Sequence, residues 1–335
     1  MNRRNFGVGL GGVVIAAAAG LGLANAQDYA RMRGAIAIDG SSTVYPITEA
    51  VAEEFRKVAR DVRVTVGISG TGGGFKRFTV GETDISDASR PIKVKELKAA
   101  EENGVAFIEV PVAYDGLSIV VNKENYWVDQ LTVEDLKKIF LDGTTVMKWS
   151  DVNASYPDTP IKIYAPGTDS GTFDYFKEVI AGKTGAIRSD MSVSEDDNVL
   201  VRGVSGDTGG IGFFGCAYYF ENRDKLKVVP IVNAKLGKAI EPTAKTIENG
   251  TYAPFSRPLF IYVSKKSLQS KPQLKAFIEF YLDNCAELAQ EVGYVRLPQE
   301  VYDRCHANIK NMRTGTQFLD DAGEKVSGPL PTVYK

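Results

Sequence analysis

The chain has little histidine and little cysteine: one histidine, His306, and three cysteines in 335 residues. A single histidine excludes a multi-histidine metal centre. It also excludes a histidine-based catalytic triad anywhere that residue 306 does not reach. Three cysteines are an odd number, so at least one is left unpaired. Cys285 and Cys305 lie in adjacent helix-like segments near the C-terminus and are a candidate pair. Cys216 follows the apolar stretch GIGFFG and reads as a buried free thiol. Net charge is also nearly absent: 40 basic residues against 42 acidic ones leave −2. No basic footprint of a nucleic-acid binder is visible, and no polybasic membrane patch. Internal repeats and low-complexity linkers are missing too, as are membrane-length apolar runs beyond residue 26.

What is present begins with an export signal over residues 1–26. Arg3 and Arg4 make a positive start, and an uncharged Gly/Ala/Val run extends from Phe6 to Ala24. Ala24-Asn25-Ala26 forms a small-residue cleavage site before Gln27. Arg3-Arg4 followed by Phe6 also suits twin-arginine export. The second reading, an uncleaved anchor, ranks lower because small residues dominate the run. No cysteine stands at the cleavage point to take a lipid. Removal of the signal takes two arginines with it, so the formal charge of the mature chain is −4. Export places the chain in an oxidising, periplasmic compartment.

The whole sequence is 44% hydrophobic, enough for a large core, and its length suggests two domains. Strand-like and helix-like segments alternate, which predicts an α/β fold with largely parallel sheets. AIAIDG (35–40) reads as a strand and PITEAVAEEFRKVA as an amphipathic helix with proline in its first turn. VRVTVGI (62–68) alternates as a strand, and GGGFKRFTVG follows as a short helix. Residues 105–122 read as two strands back to back. Thr132 caps a helix that places Asp135 at its third position. IKIYAP leads into the helix TFDYFKEVIAG, closed by Gly182. GGIGFFG and KVVPIV read as strands, RPLFIYVS (257–264) as another, and 271–293 as a long amphipathic helix. Without a floppy linker, domains must be joined by extended strands. The candidate crossings are Val112–Asp115 and Phe255–Pro258. They divide the chain into a discontinuous domain, 34–114 plus 257–335, and a second domain, 115–256.

Three stretches share one design: DGSSTVYP (39–46), GISGTGGGFK (67–76) and APGTDSGTF (165–173). In each, a strand ends, small hydroxyl and glycine residues follow, and a helix begins. Helix N-termini present unpaired N–H groups and partial positive charge. Glycine lets a ligand approach, and Ser or Thr adds a short directed donor. One such loop is also what an ordinary capped helix looks like. Three together favour an anion held by several helix N-termini. A fourth stretch, DISDASRPI (84–92), offers Arg90 as a bidentate clamp for an oxyanion. Nucleotide motifs fail on spacing. GTGGGFK has neither the nucleotidase phosphate loop nor G-x-G-x-x-G, since Phe75 stands at the last glycine. GISGT misses the second glycine of a nucleophile elbow, because Thr71 is there.

IDGSSTVYPITEAVAEEF, GISGTGGGFKRF, DISDASRPI and APGTDSGTFDYF closely resemble the phosphate-binding proteins of the bacterial phosphate ABC transporter, the PstS family. EDDNVLVRGV (195–204), GGIGFFGCAYY (209–219) and FSRPLFIYV extend the resemblance over nearly the whole mature chain. It implies a two-domain periplasmic-binding-protein fold of type II, with a ligand cleft between domains joined by two crossing segments. It implies one dehydrated phosphate, a membrane permease as partner, no cofactor, no metal and no catalysis, in a monomer. Loop by loop, it assigns Ser42, Thr43 and the Val44 N–H to the first binding loop. Ser69 falls in the second, with Thr71 as a rival because that loop is longer and richer in glycine here. Ser89 and Arg90 match the third motif, and Ser170, Gly171 and Thr172 the Ser-Gly-Thr loop. The chain departs from the best-studied branch in two places. Arg90 stands where that branch has an aspartate, and Ala165-Pro166-Gly167 where it has an arginine.

That departure leaves open which carboxylate accepts the proton of bound phosphate. Phosphate keeps a proton near neutral pH, with a second pKa of about 6 in phosphoesters; sulfate does not. A buried carboxylate accepting that proton would leave sulfate facing an unpaired negative charge. Asp169, beside Ser170, is the first candidate, followed by Asp87 and Asp197. Alternatives to a phosphate receptor are a receptor for sulfate, molybdate or another oxyanion, a phosphatase using the same loops, and a sensor or adhesive protein on the same fold.

Overall fold

The computed structural model describes residues 29–335 apart from 168–170, 183, 195 and 327. The export signal read at residues 1–26 lies outside the described residues. Eleven strands are numbered in chain order: β1 Gly34–Gly40, β2 Val62–Ile68, β3 Ile85–Ala88, β4 Phe107–Asn122, β5 Lys162–Pro166, β6 Ser192–Ser194, β7 Gly210–Gly215, β8 Leu226–Val228, β9 Ile231–Asn233, β10 Lys238–Ile240 and β11 Ser256–Ser264. Helices of eight or more residues are α1 Tyr45–Val58, α2 Gly70–Phe78, α3 Val94–Glu102, α4 Val133–Phe140, α5 Gly171–Ala181, α6 Asp197–Ser205, α7 Pro272–Glu291 and α8 Gln299–Lys310. Helices and strands alternate as the hydrophobic periods require. Thr132 caps α4 as expected: its Oγ1 accepts the Asp135 N–H at 3.0 Å while Asp135 Oδ2 accepts the Thr132 N–H at 3.1 Å.

One sheet runs through the molecule in the order β2-β1-β3-β11-β4-β7-β5-β6, with β8 beside β4. β1 pairs in parallel with both β2 and β3, and β5 pairs in parallel with β6 and β7. Between these two parallel groups, β11 is antiparallel to β3 and to β4, and β4 is antiparallel to β7. β4 is a single 16-residue strand, buried along its whole length. It corrects the expectation of two strands at 105–122. No turn interrupts it, because its first part pairs with β11 and its second with β7 and β8. KVVPIV is corrected in the opposite sense. It splits into β8 and β9 around Pro230, which has no N–H for a ladder.

Apolar residues of β1, β3, β4 and β11 pack against α1, α2, α7 and α8 to form a large core that continues into the second half of the chain. Helix α2 can approach β1 only through glycine. A Cβ on Gly74 would lie 2.5 Å from Gly40 Cα and 2.9 Å from Ser86 Oγ. The cysteines are all buried and free, so the Cys285–Cys305 pair left open by the sequence is not formed. Each of those thiols instead donates to the carbonyl of a β4 residue, Cys285 to Val112 at 3.2 Å and Cys305 to Pro111 at 3.5 Å. Cys216 is the buried free thiol expected, and burial pushes its pKa up.

Several carboxylates lie deep in the first half of the sheet, among them Glu109, Asp39 and Asp87. Glu109 accepts from Tyr262 Oη and Thr316 Oγ1, both at 2.7 Å, and from the Gln317 N–H at 3.0 Å, which fastens the C-terminal segment. Burial raises its pKa to about 7. Asp39 is paired with Arg77 at 2.5 Å. Asp87, on β3, is fully buried, with the Thr48 hydroxyl beside it but no well-formed hydrogen bond to either carboxyl oxygen among the described residues. Burial, opposed by the Thr48 hydroxyl and reinforced by the Asp39 carboxylate, pushes Asp87 up to about 8. An unfolded aspartate titrates near 4 (about 3.9). The folded chain therefore holds a proton on Asp87 between about pH 4 and 8 that the unfolded chain has released. This stabilising contribution is complete below about pH 4 and is lost as pH rises through 8, each pKa unit being worth about 1.4 kcal/mol. Asp87→Asn has no such proton to lose. Urea unfolding at about pH 5 and about pH 9 should show a smaller fall in stability for the variant, leaving it the more stable protein at the alkaline end. Equal falls in the two proteins would contradict the account.

Candidate ligand-binding cleft

Strand directions, with the offset of the two strand groups along β4, bring the functional loops together: β11 pairs with β4 over Phe107–Gly116 and β7 over Leu117–Val121. β3 is antiparallel to β11, and β11 is antiparallel to β4, so β1, β2 and β3 point the same way as β4. β7 is antiparallel to β4 and carries β5 with it in parallel, so β5 points the opposite way. The carboxyl ends of β1–β3 and of β5 therefore face one another across the middle of the sheet. Open α/β sheets bind ligands beyond their strands' carboxyl ends. Between the two sets lies a cleft of about 1110 Å³, lined from one side by residues of the loops after β1, β2 and β3 and from the other by α5 and the start of β11.

The three loops of the first side are stitched together by backbone. Gly40 ends β1 with φ +148°, and a Cβ there would lie 2.2 Å from the Asp87 carbonyl oxygen, so only glycine fits. The next residue, Ser41, donates its N–H to that same carbonyl at 3.0 Å. The Ser69 N–H donates to the Gly40 carbonyl at 3.1 Å, which ties the second loop to the first. Thr71 Oγ1 accepts the Ser89 N–H at 3.1 Å, and the Thr71 and Ser89 hydroxyls are themselves 3.1 Å apart, which ties the second loop to the third. Ser42, Thr43, Thr71, Ser89 and Arg90 all line the cleft.

Other expected residues are placed differently. Val44 is buried, and its N–H donates to the Ser41 carbonyl at 3.2 Å within the turn. Ser69 is exposed ahead of α2 and is not among the cleft-lining residues; helix α2 starts at Gly70, so Thr71 is the hydroxyl that turns inward. Arg90 reaches the cleft, but its fork grips Glu96, at 2.8 Å to Oε2 and 2.7 Å to Oε1, and it donates to the Pro91 carbonyl at 3.0 Å. Its guanidinium lies 5.4 Å from the Phe75 ring centroid. Asp169 and Ser170 lie outside the described residues. Gly171 and Thr172 form the first turn of α5, which carries Asp174, Tyr175, Lys177 and Glu178 along the cleft wall. Asp87 lies in the core beside the Thr48–Tyr281 hydroxyl pair and does not line the cleft; Asp197 opens α6.

The charge of the lining is informative. Among the described lining residues, five lysines (Lys76, Lys93, Lys95, Lys177, Lys325) and two arginines (Arg90, Arg257) face three acids (Glu96, Asp174, Glu178). A chain of formal charge −2 thus concentrates positive charge in its cleft. Arg257 was missed at the sequence level. It lies opposite Asp115 in the β11–β4 register and donates from Nε to Asp115 Oδ2 at 3.2 Å. Burial raises the pKa of Asp115, and Arg257 opposes that rise. The signal available was a lone arginine in the apolar run FSRPLFIYV and a lone aspartate in AYDGLSIVV. His306, the chain's one histidine, lies 3.5 Å from Asp283 and away from the cleft lining.

Comparison with known proteins agrees with this architecture. Residues 25–284 match the PBP superfamily domain. Protein SphX of Synechococcus elongatus is 50% identical over 306 residues, covering 90% of this chain and 88% of that protein. The phosphate-binding protein PstS of Staphylococcus saprophyticus is 42% identical over 294 residues, covering 88% of this chain and 90% of its own length. Among solved structures, a possible phosphate binding protein from Planctomyces limnophilus superposes with a TM-score of 0.81 at 45% identity, covering 84% of this chain and 99% of its own. The chain belongs to the PBP superfamily and, within it, to the PstS family of phosphate-binding proteins.

Proposed function

We propose that the chain is an extracytoplasmic receptor that encloses one inorganic phosphate ion and delivers it to the membrane permease of an ABC-type transporter. The observation that carries this reading is the convergence of Thr43, Thr71 and Ser89 with the N-terminal half of α5 on one positively lined cleft. A desolvated anion costs on the order of tens of kcal/mol unless directed donors replace its water. Hydroxyls, helix N-termini and cations supply such donors here. We take residues 34–114 with 257–335 as one lobe and 115–256 as the other. The pairing of β4 supports that division, since it passes from β11 to β7 at Gly116–Leu117. Closure of the lobes would bring the Ser170-Gly171-Thr172 loop onto the anion held by Ser42, Thr43, Thr71 and Ser89. Asp169 is the proposed acceptor of the phosphate proton. Arg90 would reach the ion only by yielding Glu96.

Removal of residues 1–26 would release the mature receptor into the periplasm as a monomer. Among the described residues, no helix is long and apolar enough to cross a membrane. The receptor reading asks for no turnover.

Calorimetry on the mature chain should show one phosphate bound per molecule at micromolar ligand or below; absence of heat would remove the reading. Sulfate displacing phosphate equally well at neutral pH would point instead to a general oxyanion receptor. Thr43→Ala and Thr71→Ala should each weaken phosphate about 10- to 100-fold, since hydrogen bonds to charged groups are worth about 1.5–3 kcal/mol. Stopped-flow association should slow as salt rises from about 0.01 to 0.15 M, because the lining lysines steer the ion. An association rate indifferent to salt would deny the cleft charge that role.

A further inference from the structure

Arg257 is the cation best placed to meet a ligand. It lines the cleft from the first residues of β11, with its side chain 17% exposed. Its Nη2 donates to Thr43 Oγ1 at 3.3 Å, and its Nε to Asp115 at 3.2 Å. Tyr175, on α5, covers its face with 3.8 Å between Cζ and the ring centroid. The Tyr175 hydroxyl is fixed in turn by donating to the Pro254 carbonyl at 2.6 Å. The guanidinium therefore touches both sides of the cleft and is held in one orientation.

Two features distinguish it from a purely structural ion. A guanidinium carries five N–H groups. Among the described residues Nε and Nη2 are engaged, Nη2 lying 3.2 Å from Asp115 Oδ2 as well as 3.3 Å from Thr43 Oγ1, so the two N–H groups of Nη1 are the donors left over. Arg90, by contrast, has both terminal nitrogens on Glu96. Secondly, Thr43 Oγ1 accepts from Arg257, so the hydroxyl's own proton must go to another acceptor. An arginine that sets a hydroxyl as acceptor on one side makes it a donor on the other, which is what an anion needs.

We propose that Arg257 contacts the bound oxyanion directly through its Nη edge, beside the Thr43 hydroxyl that it orients, with Asp115 and Tyr175 holding the guanidinium in place. The assignment rests on the receptor reading above and adds a contact from the strand that crosses between the lobes rather than from any of the loops.

Phosphate calorimetry on four proteins tests it: wild type, Arg257→Lys, Arg257→Gln and the double variant Asp115→Asn/Arg257→Gln, each checked for native fold by circular dichroism and melting. Arg257→Gln should bind phosphate at least about 30-fold more weakly, the scale of removing one partner from a buried charged contact. Arg257→Lys should keep the charge but not the fork, and fall between wild type and the glutamine variant. The double variant also removes the buried carboxylate that Arg257→Gln strands. If Arg257 only neutralises Asp115, the double variant regains wild-type affinity, and the proposal is overturned. If Arg257 meets the ion, the double variant stays as weak as Arg257→Gln. Wild-type affinity in Arg257→Gln, within about threefold, would also overturn it while leaving the receptor reading intact. Wild type that fails to bind phosphate removes the receptor reading and this assignment with it.

Discussion

Where β4 runs beside β11, Phe107–Gly116 against Ser256–Ser264, the chain's geometry is decided. Both strands are buried over most of this length, so their backbone groups must find partners in the ladder or remain unpaired at a cost of about 1–3 kcal/mol each. That requirement keeps the two strands paired along this length, and the ladder they form is antiparallel. β3 is antiparallel to β11 on one side and β7 to the later part of β4 on the other, so the carboxyl ends of β1–β3 and β5 approach one another from opposite ends of β4. The cleft follows from that choice. A one-residue slip along β4 would move Asp115 away from Arg257 and reverse which face each side chain occupies.

Charge is arranged around the same place. The loops after β1, β2 and β3 hold small hydroxyl residues in a frame of backbone hydrogen bonds, and the cations stand around them. Behind the loops, in the core, lie carboxyl groups that burial drives towards the neutral form: Asp87 at about 8 and Glu109 at about 7. In the cleft wall Glu96 is matched by Arg90, and beside it Asp115 is matched by Arg257. The cleft thus stays positive although the chain as a whole is slightly acidic.

Much of this was legible in the sequence because it is local. The loops 39–46, 67–76 and 84–92 announce themselves by glycine and hydroxyl residues at strand ends, and the caps and helices by period and spacing. What was not legible depends on distance or on helical phase. Arg257 and Asp115 are 142 residues apart in sequence, and nothing but strand register joins them. Ser69 and Thr71 look equivalent as text; the start of α2 at Gly70 decides which faces the cleft. Two strands were read at 105–122 because one long strand changes partners part-way, from β11 to β7 and β8, and the run has no turn residue at that point. The Cys285–Cys305 pair was suggested by neighbouring helices, but both thiols turn to carbonyls of β4 instead.

A crystal structure of the mature chain grown with phosphate tests the central claim most directly, that loops distant in sequence surround one ion at the β4–β11 waist. The account expects a single tetrahedral ion within hydrogen-bond distance of the Thr43 and Ser89 hydroxyls on one side and of the first turn of α5 on the other. Phosphate bound on the outer surface of the chain, with the cleft filled only by water, would contradict it.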